Sequence, residues 1–209
     1  MKLPLTLFLF TFPWAAPAQT YEFSVFGSRI GANGKPLGSL SGNRPRDDDS
    51  RLRAGYGYGA RVTWNTPGYY GHELTYIHSR PTFETKLVSE DGRTVTPAEA
   101  KIQMQQAAYN FMMYMMPLGE RFRPFITVGL EAHQYGAPRI EGFPGGNSRH
   151  YGGNFGGGLK IKLSRNALIR FDVRDYIAGK PYDLNFVDPG RSEGFIRHLE
   201  TSFGFAIAF

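Results

Sequence analysis

The closing stretch, Arg197 to Phe209, restricts this chain more than any other. Leu199, Thr201, Phe203, Phe205, Ile207 and Phe209 fall on one side, and His198, Glu200, Ser202, Gly204, Ala206 and Ala208 on the other. Strict period-two alternation marks a two-faced β-strand. The run is long for a soluble strand but suits one that tilts across a bilayer, which takes about 9–11 residues.

Seven further stretches read as strands: 21–30, 52–65, 69–83, 101–116, 121–135, 150–163 and 167–178. The connections after the second, fourth and sixth are short. Asn65-Thr66-Pro67-Gly68, Pro117-Leu118-Gly119-Glu120 and Ser164-Arg165-Asn166 carry the turn residues. The connections after the first, third, fifth and seventh are long. An even strand count with alternating short and long connections predicts an all-β fold: an eight-stranded antiparallel up-and-down transmembrane β-barrel with both termini on the periplasmic side. Within the second long connection, 84–100, Thr96-Pro97-Ala98-Glu99 is a capping-box pattern that allows a turn or two of helix.

The amino-terminal end indicates the compartment. Lys2 is followed by the apolar run Leu3 to Trp14 and then Ala16-Pro17-Ala18. This is the pattern of a secretory signal peptide, too short to span as a helix. The expectation is a signal peptide over 1–18, cleaved near Ala18, and one barrel domain over 19–209. The chain has no cysteine, so neither disulfides nor thiol chemistry are available. A mean hydropathy of −0.35 is far too polar for a helical membrane protein but compatible with a barrel, half of whose strand positions face water. The formal charge of +6 is spread along the chain. It fits attraction to anionic lipid headgroups better than nucleic-acid binding.

Alternation alone does not say which face is inside. A soluble, periplasmic lipocalin-like binding barrel puts its apolar face inward; a membrane barrel inverts this. Three features favour inversion. The charged face carries mixed signs on neighbouring strands: Arg61, Glu73, Glu131, His133, Lys160, Arg170, Asp172, Arg174, His198 and Glu200. These are expected to pair as a polar lumen network, with His198 and Glu200 meeting the Arg170, Asp172, Arg174 row. Glycines lie on that same face in the second and sixth strands, leaving room for long neighbours. Aromatics gather near strand ends as interfacial girdles do: Trp64, Tyr69, Tyr70, Phe122, Tyr135, Tyr151, Tyr176 and Phe209.

With these elements in place, the chain resembles the small outer-membrane β-barrels, the transmembrane domains of OmpA-type and OmpX-type proteins, often grouped as the porin family. The leader, the eight strands, the loop rhythm and the terminal LETSFGFAIAF carry the resemblance. It implies residence in a Gram-negative outer membrane among lipid and lipopolysaccharide. It also implies that Phe203, Phe205, Ile207 and Phe209 form a signal read by the barrel-assembly machinery. Larger relatives carry a peptidoglycan-binding domain after the barrel; cell-wall anchoring is not expected here.

Chemistry is sparse. The five histidines show no close metal-ligand spacing. His78-Ser79 invites comparison with a hydrolytic dyad, but adjacent strand residues point to opposite faces. Asp47-Asp48-Asp49, flanked by Arg44, Arg46 and Arg51, lacks the spaced ligands of a calcium loop and reads as a self-neutralising loop tip. Neither cofactor nor metal is expected. The reading is a non-enzymatic barrel with a lumen largely filled by polar side chains and a structural or recognition role through its loops, whose partner the sequence does not identify. A narrow pore for small solutes or ions and an outer-membrane lipid-modifying enzyme are the alternatives within this fold.

Overall fold

In the computed structural model, residues 20–32, 37–40, 50–89, 93–140, 143, 146–182, 184 and 194–209 are described. The leader and the Asp47-Asp48-Asp49 tip lie outside them. Nine strands form one antiparallel sheet: β1 (Tyr21–Ala32), β2 (Arg51–Asn65), β3 (Tyr70–Val88), β4 (Val95–Lys101), β5 (Met104–Tyr114), β6 (Phe122–Tyr135), β7 (Ser148–Lys162), β8 (Ala167–Gly179) and β9 (Phe195–Ala208). β4 and β5 both pair with β3, one above the other, so together they form a single stave and the barrel has eight. β1 closes the wall against β9, from Glu22↔Ala208 to Ala32↔His198. Below the β3–β4 hairpin the wall therefore has no free edge, the condition for a strand structure in lipid.

The capping-box segment is not helical. Thr96 to Glu99 pair with Leu87 to Glu84, and β3 and β4 form a hairpin rising from the wall. The local pattern at Thr96-Pro97 is overridden by a partner strand already laid down beside it. Arg51 likewise belongs to β2, where its guanidinium meets Glu84 at 3.0 Å.

Inward and outward residues alternate along every stave. On β9, Ile196 through Ala208 point in at every second position, and Leu199, Phe203, Phe205, Ile207 and Phe209 point out. Among the described residues, β2 contains the one break in register, between Arg53 and Tyr56. An inserted residue there shifts the parity, so that both Leu52 above the bulge and Arg61 below it face inward. The outer surface carries Val25, Val62, Leu74, Ile126, Val128, Leu130, Phe171 and Val173, all exposed. At the end where β1 begins and β9 ends, aromatic rings form a collar: Tyr21 stacks on Phe209 with centroids 6.3 Å apart, Trp64 on His72 at 5.3 Å, and Tyr70 on Phe111 at 5.7 Å. Tyr135 and Tyr176, expected in such a girdle, are instead fully buried. Each shares the inward row of its strand, Tyr135 with Glu131 and His133, Tyr176 with Arg174, and parity decides over position near a strand end.

Candidate functional site

The interior is stratified. At the terminal end, Glu22 of β1 receives a bond from Lys160 Nζ (2.5 Å) and another from Asn65 Nδ2 (2.8 Å). Lys160 also donates to the Tyr114 hydroxyl at 2.8 Å. Arg123 lies over the Tyr114 ring, 3.4 Å from its centroid. It donates to Asn65 Oδ1 (3.0 Å), Met116 O (3.2 Å) and Gly68 O (3.2 Å), joining the two short turns.

Halfway along the bore, three arginines and three carboxylates meet. Arg170 grips Asp172 with Nε and Nη2, both at 2.8 Å, and also bonds Glu73. Arg174 Nη2 reaches Glu73 at 2.6 Å and Asp172 at 2.9 Å. Arg61 crosses from β2 to Asp172 (3.2 Å), Glu200 (3.4 Å) and the Ser202 hydroxyl (2.9 Å), with its guanidinium 3.6 Å above the Phe26 ring. The three positive and three negative charges cancel. Charges withdrawn from water are tolerable only when paired and hydrogen-bonded in this way. Small residues make the room: a Cβ on Gly156 would stand 3.0 Å from Arg174 Cγ, and one on Gly59 would strike the Phe26 ring.

Above this layer, Tyr176 donates to Glu200 at 2.6 Å, and His133 Nε2 lies 2.8 Å from Glu131 Oε1. The Tyr135 hydroxyl is 2.8 Å from His198 Nε2, and the His133 and His198 rings stack with centroids 5.8 Å apart. All ten residues expected in the lumen are therefore buried inside the barrel. Glu200 stands opposite Arg174 in register, yet its ion pair is to Arg61, and His198 bonds Tyr135 rather than the arginine row.

The loop end is different in kind, and here the expectation of a largely polar lumen needs correction. Ile30, Leu52, Ile77, Phe83, Ile102, Met104 and Ile196 point inward and form a dry cluster. Leu37, Tyr182 and Leu184 drop onto it from the first and last long connections. Gly38 bridges both Ser50 and Leu184, and Ser39 N donates to Leu184 O at 3.2 Å, so the two connections are stitched together over the bore. Tyr182 meets Phe143 (5.1 Å), Phe83 (5.8 Å) and Tyr135 (6.4 Å) nearly edge-on, and its hydroxyl donates to Gly136 O. Burial raises that phenol above its ordinary pKa. Sequence reasoning passed over Glu22, Tyr114 and Arg123 as lumen groups, although each has inward parity on its strand. The cap residues carried no periodic signal at all.

Ser79 is buried in the bore while His78 faces outward beside Tyr58. Among the described residues, no three metal-ligating side chains converge.

An apolar exterior around an ion-paired interior is the inverse of a soluble barrel and defines an integral membrane β-barrel. Among solved structures it is similar to the outer membrane protein OprG of Pseudomonas aeruginosa, with a TM-score of 0.60 and 15% identity over 91% of this chain and 97% of that one. It is also similar to the N-terminal β-barrel domain of Pseudomonas aeruginosa OprF, with a TM-score of 0.52 and 12% identity over 92% of this chain and 100% of that one. No known family profile and no curated protein sequence matches it. The fold is that of the small eight-stranded outer-membrane barrels.

Proposed function

We propose that this chain is an outer-membrane barrel whose bore is closed and whose role is structural or one of recognition, carried by its long-loop end. The observation behind this reading is double occlusion. The six-charge layer fills the middle of the bore, and the apolar cap fills its mouth. Eight staves give an interior just wide enough for side chains to fill. In this reading the leader is removed near Ala18, the termini and short turns face the periplasm, and the outward row Phe203, Phe205, Ile207 and Phe209 is what the barrel-assembly machinery engages. Lipid and lipopolysaccharide surround the wall. The outward turn of His78 away from Ser79 weighs against a hydrolytic role for that pair.

Planar-bilayer recording on the purified, folded chain tests the closed bore. The expected result is a baseline without unitary steps. Steady single-channel steps would replace this reading with the narrow pore. Membrane fractionation and heat-dependent gel mobility test the placement; a soluble periplasmic product would overturn it.

A further inference from the structure

One track on the outer wall is unlike the rest. At the height of Ala60 the register runs across five staves as Ala60↔Tyr76↔Ala107↔Ala132↔Tyr151. Three alanines stand side by side here among the longer side chains Val62, Leu74, Tyr109 and Leu130. The result is a furrow of about 600 Å³, floored by Ala60, Ala107 and Ala132 and walled by Tyr76, Tyr109 and Tyr151. That size lies within the usual range of ligand sites, about 300–1,000 Å³.

The furrow does not end blindly. Toward the loops it runs into a section of about 220 Å³ that shares Tyr76, Ala107, Ala132 and Tyr151 and adds Gln105, Gln134 and Arg149. Just past the end of β6, and at the end of β4, a polar cleft of about 520 Å³ opens, lined in part by Arg80, Lys101, Gln103, Gly136 and Arg139. Arg80, Lys101, Arg139 and Arg149 are all exposed. None of the four has a carboxylate partner among the described residues; Arg149 donates only to Gln134 Oε1, at 3.4 Å. The acidic residue next along β4 is Glu99. It stands opposite Glu84, which is engaged by Arg51 and Arg53, and among the described residues no ion pair joins it to Lys101.

We propose that this track binds one phosphorylated, multiply acylated glycolipid of the outer leaflet: acyl chain in the alanine furrow, sugar hydroxyls against Gln105 and Gln134, phosphate in the cleft of Arg80, Lys101 and Arg139, with Arg149 at its approach. The proposal rests on the orientation given above, in which the long-loop end faces outward. Charge complementarity and vertical order carry it. The apolar part lies where the wall meets hydrocarbon, the amides come next, and cations with no carboxylate partner among the described residues stand at headgroup height. Arginine and lysine favour phosphate oxygens through short, charge-assisted hydrogen bonds, and alanine in place of larger side chains lets a chain approach the backbone. A phospholipid would supply phosphate without the sugar layer, and a second copy of this chain would bring cations to face cations.

The test is native mass spectrometry of the full folded chain in neutral detergent, with folding checked by heat-dependent gel mobility. The probes are bis-phosphorylated hexa-acyl lipid A, its dephosphorylated form and phosphatidylglycerol. The expected result is a 1:1 complex with the first probe, retained at least about tenfold more tightly than either of the others. The variant R80Q/K101Q/R139Q/R149Q is expected to erase the preference for phosphate, and A107W/A132W to weaken both lipid A forms alike. Equal retention of phosphatidylglycerol, indifference to phosphate, or a lipid-free dimer blocked by A107W/A132W would each overturn the proposal. These outcomes leave the bilayer recording untouched, so a failed lipid site and a conducting bore are told apart.

Discussion

Glu73→Gln perturbs the middle of the bore at its most connected acid. Glu73 is fully buried and accepts from Arg170, from Arg174 at 2.6 Å and from the hydroxyls of Thr63 (3.0 Å) and Thr75 (3.1 Å). With Arg61, Arg170 and Arg174 against Glu73, Asp172 and Glu200, the layer is formally neutral. The amide keeps the shape but leaves one positive charge uncompensated, and Arg174 then has Asp172 alone. Breaking one side of a buried pair costs about 3–5 kcal/mol. With a urea slope near ~2 kcal/mol/M, the unfolding midpoint falls by roughly 2 M. The assay is a urea titration of the chain folded into phospholipid vesicles, followed by the fluorescence of Trp64, which stacks on His72. Glu73→Gln combined with Arg174→Met restores the balance of charge and should cost at least about 0.5 kcal/mol less than the two single changes summed. A midpoint shift below about 0.5 M for Glu73→Gln, or strict additivity in the double variant, would refute the view that the layer is held by ion pairing.

Gly129→Ala places a methyl group against the Tyr109 carbonyl oxygen and Asn110 Oδ1, so β5 and β6 must separate; a loss of about 1–3 kcal/mol in the same titration is expected. Arg123→Ala releases the two short turns from each other, and hydrogen exchange should speed up at 65–70 and 115–121 while the β9 amides stay protected. Tyr182→Ala removes the keystone of the apolar cap; protease should then cut the last long connection faster, yet bilayer recordings should stay silent because the charged layer beneath is intact.

The wall was legible because lipid and lumen make opposite demands on alternate residues. Arg170, Phe171, Asp172, Val173 and Arg174 state their directions one by one, and the terminal run does the same. Where both faces are apolar, that signal vanishes. Leu52, Ile77, Phe83 and Ile102 look no different from lipid-facing residues until the parity of Glu73, or the bulge between Arg53 and Tyr56, is carried up the strand. The cap lay beyond such reasoning, since Leu37, Tyr182 and Leu184 reach the bore through irregular connections joined by long-range pairing. The β3–β4 hairpin was hidden by a local motif that suits a helix start, whereas the deciding partner, Glu84 to Leu87, lies nine to fifteen residues back along the chain. The cation cleft and its approach were equally invisible, because Arg80, Lys101 and Arg139 of the one and Arg149 of the other come from separate stretches that only the closed wall brings together.

The six-charge layer also bears on time. Apart from the bonds of Arg170 and Arg174 to Asp172 within β8, its hydrogen bonds between charged groups join residues 97 to 139 positions apart: Arg170 to Glu73, Arg174 to Glu73, Arg61 to Asp172, Arg61 to Glu200. None can form until early and late strands stand across from each other, which happens only as the cylinder shuts. Contacts so distant along the chain come last in assembly. Interactions absent from the transition state act almost wholly on the reverse rate, slowing escape from the native form without hastening its arrival. The arginines at mid-bore thus work as a latch: they set how long a finished barrel lasts more than how quickly one is made.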